Sequence, residues 1–147
     1  MRISWVYGPP VLADSPARGP IPSYLMRAAR GEAIREGGGD FRASFTWIGD
    51  VAEGLLAMAA APQLRHEVYH LAPGRDFTAR DVAAAVKVAF PQAVIELGPG
   101  TEPWTRYTAL RGPLSAKRLA EDTGFACATR LDSAIGQYAA WLKSASR

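Results

Sequence analysis

The sequence predicts an α/β protein, and three observations support that prediction. Runs of β-branched and aromatic residues alternate with segments whose apolar residues recur at a helical period. Glycine or proline stands at most of the boundaries between these segments, where neither a strand nor a helix continues easily. Of the 147 residues, 48% are hydrophobic and 21% are charged, which is typical of a globular chain. Strands that alternate with helices indicate an α/β sandwich rather than a barrel or a bundle.

The predicted elements follow the order strand, helix, strand, helix, strand, helix, strand, helix, helix. The strands are predicted at residues 2–7, 43–48, 68–72 and 94–97. The helices are predicted at residues 23–30, 50–62, 78–90 and 115–123, and from residue 132 onward. Residues 11–22, which contain three prolines, are predicted to form a loop.

Three of the helices carry apolar stripes that indicate which face each one buries. Residues 78–81, Thr-Ala-Arg-Asp, resemble a capping box, in which a hydroxyl and a carboxylate satisfy the first amide donors of a helix. The predicted buried stripes are Val51, Leu55 and Met58; Val82, Val86, Ala89 and Phe90; and Ile135, Tyr138, Ala139 and Leu142.

Charge and composition narrow the classes of function. Arginine supplies 14 of the 17 basic residues, and against 14 acidic residues the formal charge is +3. The arginines are scattered singly rather than clustered in one run, so the charge does not indicate a nucleic-acid interface. No apolar stretch approaches the roughly 20 residues of a membrane helix, and we see no signal peptide. We therefore expect a cytoplasmic protein with no nucleic-acid or membrane partner. The single cysteine, Cys127, excludes an internal disulfide and, with no cationic neighbour, is predicted to be packed rather than reactive.

Two local motifs resemble functional sites but stand in the wrong context. Residues 66–70, His-Glu-Val-Tyr-His, match H-E-x-x-H, in which a helix places two histidines on one face around zinc. Here Val68 and Tyr69 favour a strand, and histidines four residues apart in a strand are about 13 Å apart, too far to share one ion. Residues 37–39, three glycines, lack the phosphate-loop pattern and precede a strand, so they indicate a turn. We predict no metal site.

Five stretches of the chain stand in the order of motifs that belong together in one enzyme family. Residues 2–9, Arg-Ile-Ser-Trp-Val-Tyr-Gly-Pro, are similar to R-x-x-N-V-Y-G-P. Residues 45–52 resemble a F-I-Y-V-D-D-V-A junction between strand and helix, and residues 68–71 resemble a V-Y-N-I strand. Residues 115–125 resemble D-x-S-K/R-A…L-G-F/W, and residues 135–142 resemble a closing G-I-x-x-Y-x-x-W-L helix. Together they resemble the C-terminal half of the extended short-chain dehydrogenase/reductases, the NAD-dependent epimerase/dehydratase family.

The resemblance implies a fold and also a missing half. Residues 1–147 would form one unit, the C-terminal part of a Rossmann-like parallel sheet plus the small α/β substrate-binding domain. The family's glycine-rich dinucleotide loop and its catalytic Tyr-x-x-x-Lys would both lie before residue 1, and neither pattern occurs in the sequence. The nearest pair, Tyr107 and Arg111, has an arginine where the chemistry needs a lysine. We therefore expect no catalytic residue here, and we expect NAD or NADP to belong to the complete enzyme rather than to this chain alone.

The resemblance also assigns roles to individual positions. The end of the family's sixth sheet strand lies beside the nicotinamide, which implies a cofactor-side role for residues near the start of this chain. These residues are Ile3, Ser4, Tyr7, Gly8 and Pro9.

On the substrate side the resemblance points to Trp5, Arg42, Phe45 and Arg111. Trp5 stands where the family has an asparagine that contacts a nucleotide-sugar. The family's phosphate-pairing arginine falls on Ala43, so Arg42 is one place off, which in a strand means the opposite face. Arg111 precedes the helix predicted at residues 115–123, where the family often keeps an arginine that faces the substrate. A guanidinium suits a phosphate or a carboxylate through bidentate hydrogen bonds.

The complete family's reaction is reversible hydride transfer between NAD(P) and a sugar or sugar-like alcohol, leading to epimerisation, dehydration or oxidation. The resemblance implies the substrate-binding portion of such an enzyme, inactive alone, with a sugar or nucleotide-sugar as substrate. Its partner would be a missing N-terminal segment or a partner chain. The alternative is a non-catalytic ligand-binding or partner-docking module derived from that family. The first hypothesis predicts exposed apolar surface where the missing strands and helices would pack.

Overall fold

Helices pack against short strand pairs in the computed structural model, which describes residues 1–11 and 15–145. The helices are α1 (Pro20–Ala29), α2 (Ile48–Ala60), α3 (Ala79–Ala89), α4 (Lys117–Thr123) and α5 (Leu131–Ala145). The strands are β1 (Arg2–Ile3), β2 (Val6–Tyr7), β3 (Ile34–Glu36), β4 (Arg42–Ala43), β5 (Thr46–Trp47), β6 (His70–Leu71), β7 (Phe77–Thr78) and β8 (Ile95–Leu97). Short 3-10 turns occupy Pro16–Arg18 and Trp104–Tyr107. The predicted α/β class is confirmed.

The strands form four pairs within the described part of the chain. β1 pairs with β6, β2 with β5, and β3 with β8, all in parallel, whereas β4 pairs with β7 in the antiparallel sense. Parallel strands need a crossover between them, and helices lie between the members of these pairs in the sequence. The pairing is therefore that of an α/β protein with one antiparallel addition.

The predicted strand at residues 2–7 is present but changes its partner halfway along. The backbone N–H groups of Arg2 and Ser4 donate to Tyr69 and Leu71, next to and in β6, at 2.8 and 3.5 Å. One residue later, the Trp5 carbonyl accepts from the Thr46 N–H of β5 at 3.1 Å. This change of partner divides the strand into β1 and β2 and leaves Ser4 and Trp5 between them.

Several predicted boundaries are wrong for physical reasons. Helix α1 begins at Pro20 rather than residue 23, because the fixed φ of proline and its missing N–H are tolerated in the first turn. Residues 12–14 of the predicted loop lie outside the described part of the chain. Strands β3 and β7 were not predicted, because they are two or three residues long and become ordered only by pairing with β8 and β4.

The larger core lies between α1, α3 and α5, together with aromatic residues that precede β4 and β5. The predicted stripe of α5 is confirmed, because all four of its residues are buried. In the stripe predicted for α3, Val82, Val86 and Phe90, which follows the last residue of the helix, are buried, and Ala89 is half-buried. The capping box at the start of α3 is also confirmed, with the Thr78 side chain accepting from the Asp81 N–H at 3.1 Å.

Helix α2 buries only part of its predicted stripe: Val51 is buried and Met58 packs half-buried beside Tyr69 and Leu71, whereas Leu55 is exposed. Val51 and Gly54 are buried, and Gly54 allows the Leu71 side chain to approach the helix closely. Leu55 was predicted to be buried but is 47% exposed, and Leu56 is 70% exposed. Their outward stripe is apolar, as expected of a face that another element covers. No helix of residues 1–11 and 15–145 has the length and apolar character needed to cross a membrane.

Hydrogen bonds to one carboxylate, that of Asp122, connect the segment between α2 and β6 to α4. Asp122 accepts hydrogen bonds from the Tyr69 hydroxyl at 2.6 Å and from the Arg65 N–H and Nε at 2.8 and 2.6 Å. The same hydroxyl accepts from the His66 N–H at 2.9 Å. These bonds favour the charged carboxylate, chiefly the one from Tyr69, and lower the pKa of Asp122 to about 2.

Low pH should weaken the hydrogen bonds that the Asp122 carboxylate accepts, because it protonates that carboxylate. The pKa of Asp122 is depressed in the folded state relative to about 3.9 in the unfolded chain, so its contribution to stability is present above pH 4. That contribution is lost as the pH falls toward about 2. We expect Asp122→Asn to lower the free energy of unfolding at pH 7, with the deficit shrinking toward pH 2, as measured by urea denaturation. Glu121→Gln, at an exposed neighbouring carboxylate, is the control and should change little. A deficit that is independent of pH would contradict this account.

A second prediction concerns Gly8, directly after β2. Its φ is +132°, and a Cβ there would lie 2.5 Å from Ile48 Cγ2 and 2.8 Å from the Trp47 ring. We expect Gly8→Ala to destabilise the protein by about 1–3 kcal/mol through backbone strain and crowding, measured by urea denaturation. The matched control is Gly136→Ala in α5, where a Cβ meets nothing within 4 Å. That variant should gain roughly 0.5–1 kcal/mol from helix propensity. Equal effects at the two positions would be the contrary result.

Candidate functional site

A cleft of about 800 Å³ opens where β1, β4 and the loop that precedes α4 meet. Its walls come from segments that are far apart in the sequence, so it is a product of the tertiary fold. Its lining includes Arg2, Ile3, Ser4, Trp5, Phe41, Arg42, Ser44, His70, Trp104, Arg111 and Leu114.

The cleft is cationic. Arg2, Arg42 and Arg111 line it together with His70, and its described lining contains no aspartate or glutamate. Arg2 stands opposite His70 in the register of β1 and β6, so these two residues come from neighbouring strands. A cleft with basic groups of one sign attracts anions and raises their local concentration.

The three cleft arginines also differ from most others in their bonding. Among the described residues, the guanidinium groups of Arg2, Arg42 and Arg111 have no hydrogen bond and no ion pair. Most of the described arginines outside the cleft are hydrogen-bonded or ion-paired, as in the Arg27–Glu36 bridge at 2.6 Å and the Arg35–Glu96 bridge at 3.1 Å. Guanidinium forks that are left open in one cleft are suited to bidentate binding of phosphate or carboxylate groups.

Aromatic rings form one wall of the cleft. The Trp5 ring packs edge-on against Phe41, with centroids 5.4 Å apart, and Phe41 lies 6.5 Å from Trp104. Behind Trp5, the Phe45 ring packs at 6.1 Å, and Gly19 leaves room that a Cβ would fill, 2.7 Å from the indole. The indole is therefore held on several sides and offers a fixed apolar surface next to the arginines.

Five of the nine predicted site residues meet in this cleft. They are Ile3, Ser4, Trp5, Arg42 and Arg111. Arg42 and Ala43, the position of the family arginine, both line the cleft from β4, where Arg42 is exposed and Ala43 is 4% exposed. The offset of one place therefore does not remove Arg42 from the cleft.

The other four predicted residues do not line the cleft. Phe45, predicted on the substrate side, is 4% exposed and belongs to the core behind Trp5, so any influence on a ligand would pass through that ring. Tyr7 is buried against Trp47, with ring centroids 5.6 Å apart, and burial followed by the charge of Asp50 raises its pKa above the ordinary range of tyrosine. Gly8 and Pro9 follow it at the end of β2.

Sequence reasoning missed several contributors to the cleft, among them Arg2, His70, Ser44 and Trp104. The alignment of Arg2 with His70 depends on the register of β1 and β6, which the sequence does not state. The one available signal in the sequence was an arginine at the start of a predicted strand. Ser44 is small and buried, and nothing in its local sequence marks it.

The motifs set aside at the sequence level are explained by the structure. Residues 66–70 form no helix, only His70 and its neighbour Leu71 are in a strand, and the His66 ring packs on Tyr69 with centroids 5.8 Å apart. In the described ranges, no group of three potential metal-ligating side chains occurs. Burial, followed by the charge of Asp50, raises the pKa of Cys127 to about 11, which disfavours the reactive thiolate.

Neither a protein-family model nor a curated protein matches this chain. Its similarity to solved structures is nevertheless extensive. The Bordetella bronchiseptica enzyme WbmF, solved with NADH, is 25% identical with a TM-score of 0.77, over 97% of this chain and 44% of WbmF. The UDP-glucose 4-epimerase of Thermus thermophilus, solved with NAD, is 20% identical with a TM-score of 0.78, over 98% of this chain and 46% of the epimerase. TunA, an NAD-dependent NDP-hexosamine 5,6-dehydratase of tunicamycin biosynthesis, is 23% identical with a TM-score of 0.72, over 97% and 45%.

This chain spans less than half the length of each of these three proteins. Two of the three were solved with NADH or NAD, which supports NAD as the cofactor of the complete enzymes. The architecture of paired parallel strands and five helices is shared with them over almost all of this chain. The resemblance to part of an extended short-chain dehydrogenase/reductase, the NAD-dependent epimerase/dehydratase family, which the sequence motifs indicate, is therefore confirmed.

Proposed function

We propose that this chain is the substrate-binding portion of a cytoplasmic NAD(P)-dependent epimerase, dehydratase or oxidoreductase that acts on a nucleotide-sugar or sugar-like substrate. The observation that carries the proposal is the cleft that three unpaired arginines line beside a fixed indole. The fold shared with NAD-linked enzymes of nucleotide-sugars supports it.

The cleft matches the chemistry of such a substrate. A nucleoside diphosphate carries adjacent anionic groups, and open guanidinium forks bind phosphate oxygens through paired, charge-assisted hydrogen bonds. A sugar or a base presents a flat, partly apolar face, and the Trp5 ring offers a surface on which such a face stacks. Among the similar structures, WbmF was also solved with NAD+ and UDP, and MoeE5 with UDP-glucose and NAD.

The residues of this chain do not fit a complete dinucleotide site. The sequence contains no G-x-G-x-x-G loop to hold a pyrophosphate and no Tyr-x-x-x-Lys to exchange a proton with the reacting alcohol. Tyr7, near the expected nicotinamide position, is buried and held in its protonated form by a raised pKa. We therefore assign this chain the binding and orientation of the substrate, and no step of hydride transfer.

The surface of the chain supports a partner that supplies the dinucleotide-binding half. Within the described residues β1 pairs only with β6 and β2 only with β5, and Ile3 of β1 and Val6 of β2 are 38% and 44% exposed. Parallel sheets are usually covered on both faces, and an open strand edge is a place where another strand pairs. The outward stripe of α2, with Leu55 and Leu56, adds further uncovered apolar surface. In our proposal, the rest of the enzyme covers these surfaces.

Binding of UDP by the purified chain tests the cleft. We expect Arg111→Ala and Arg42→Ala each to weaken UDP binding about tenfold or more, since each removes charge-assisted hydrogen bonds to phosphate. Isothermal titration calorimetry at two salt concentrations measures the affinities and their dependence on charge. Arg35→Ala removes an exposed arginine outside the cleft and is the matched control, with no change in affinity expected. Equal affinities in all four proteins would contradict the proposed site.

Isothermal titration calorimetry with dinucleotides also separates this proposal from the alternative of a non-catalytic ligand-binding module. We expect no tight binding of NAD(H) or NADP(H) by the chain alone, whereas UDP and nucleotide-sugars bind. Tight binding of NAD(H) or NADP(H) by this chain alone would contradict the proposal that a partner supplies the dinucleotide-binding half. Nucleotide binding with no functional partner half would favour the alternative, a non-catalytic ligand-binding module.

The uncovered surface of α2 gives a separate prediction. We expect Leu56→Glu to lower binding of an apolar dye and concentration-dependent self-association, because it places a charge in the exposed stripe. The free energy of unfolding should change by no more than about 0.5 kcal/mol, as for other exposed positions. Val88→Glu on α3, at a side chain that is 76% exposed, is the control and should leave both properties unchanged. Equal effects of the two variants would show that the α2 stripe is not a special surface.

A further inference from the structure

Ser44 is buried in the wall of the cleft and joins two segments that are distant in the sequence. It directly follows β4 and is 3% exposed. Its hydroxyl donates to Asp76 Oδ1 at 2.7 Å, and it accepts a hydrogen bond from the Leu114 N–H at 3.4 Å. A serine hydroxyl has one proton, so donation to Asp76 fixes its lone pairs as the acceptors for Leu114.

Leu114 closes the loop that carries Arg111. Residues 109–116 form no helix or strand. Among the described residues, the Leu114 N–H to Ser44 is the only hydrogen bond that ties residues 109–114 to a distant part of the molecule. Without this tether, the Arg111 guanidinium would be placed by a loop with little other restraint, and ordering it on binding would cost conformational entropy.

Within the described residues, only one of the two carboxylate oxygens of Asp76 accepts a hydrogen bond. Its Oδ1 accepts from Ser44, while its Oδ2 is buried with no hydrogen-bond partner among the described residues. A buried carboxylate oxygen without a partner costs stability, so the carboxylate is not explained by stability alone. The Arg75 side chain next to it lies over the Phe77 ring, at 4.6 Å from its centroid.

We propose that Ser44 and Asp76 are positioning residues that hold the Arg111 loop at the cleft in its ligand-binding arrangement. Neither residue is assigned a contact with the ligand. This inference rests on the proposed function, because it concerns the affinity that Arg111 provides for a phosphate-bearing ligand. It goes beyond that function by making the affinity depend on a hydroxyl–carboxylate pair behind the wall of the cleft.

A double-mutant cycle with UDP as the probe tests the inference on the full chain. We expect Ser44→Ala to weaken UDP binding about tenfold in the otherwise unchanged protein, and less than about twofold when Arg111→Ala is already present. Asp76→Ala should reproduce the loss, whereas Asp76→Asn keeps an acceptor oxygen for Ser44 and should retain most of the affinity. Urea denaturation of each variant verifies that the titrations use folded protein, and Asp76→Ala takes the place of Ser44→Ala in the cycle if Ser44→Ala does not fold.

Hydrogen exchange supplies a readout that does not depend on the ligand. In Ser44→Ala the Leu114 amide should lose protection, while amides within α5 keep theirs. Ser44→Ala that weakens binding equally with and without Arg111 would overturn the inference, and so would unchanged protection of Leu114. If Arg111→Ala weakens UDP binding and Ser44→Ala does not, the inference fails and the proposed function stands. If the unchanged chain does not bind UDP, both fail.

Discussion

The change of partner within residues 2–7 is the constraint on which the rest of the structure depends. A continuous strand would pair with one neighbour along its whole length, but here the first half follows β6 and the second half follows β5. Both neighbours are parallel, so each must be reached by a crossover, and α2 provides the connection from β5 toward β6. The gap between the halves places Ser4 and Trp5 in the cleft wall, and the pairing of β1 with β6 brings Arg2 alongside His70. The same change of strand partner therefore sets both the strand pairing of the fold and the positions of these cleft residues.

The two cores of the protein support that arrangement from opposite directions. The larger core joins α1, α3 and α5 to the aromatic residues at β4 and β5, and it holds Trp5 in place through Phe41 and Phe45. The smaller core joins α2 to Tyr69, Leu71 and Leu119, and it fixes the position of β6. Because Gly54 has no side chain, Leu71 packs against the backbone of α2, which sets the distance of the strand from the helix.

The electrostatics of the cleft are unusual for a region that serves stability alone. Like charges gathered in one place repel, and surface arginines commonly gain from nearby carboxylates. The paired arginines of this protein lie elsewhere, whereas the cleft gathers unpaired ones beside a wall of aromatic rings. An arrangement that leaves guanidinium groups without partners in the described part of the chain is consistent with a partner that arrives as an anionic ligand. In the wall of the cleft, the half-buried Asp76 carboxylate accepts a hydrogen bond from the Ser44 hydroxyl rather than pairing with an arginine.

The sequence by itself determined the α/β class, the order of the main elements, the stripes of α3 and α5, and the family resemblance. These features depend on local periodicity, capping residues and motif order, which a chain carries wherever it is in space. It also led to the prediction, by motif position, that Arg42, Arg111 and Trp5 lie on the substrate side, and these three residues line one cleft. The tertiary structure decided the rest. Strands β3 and β7 are too short to be recognised in the sequence without their partner strands. The inward face of α2 follows from the packing of Leu71 against Gly54. The Phe45 side chain points inward and packs behind Trp5. Arg2, His70 and Ser44 joined the site only because strand register and a distant loop bring them there. Contacts between strands and side chains that are far apart in the sequence leave no local pattern in it, so they become visible only in the folded chain.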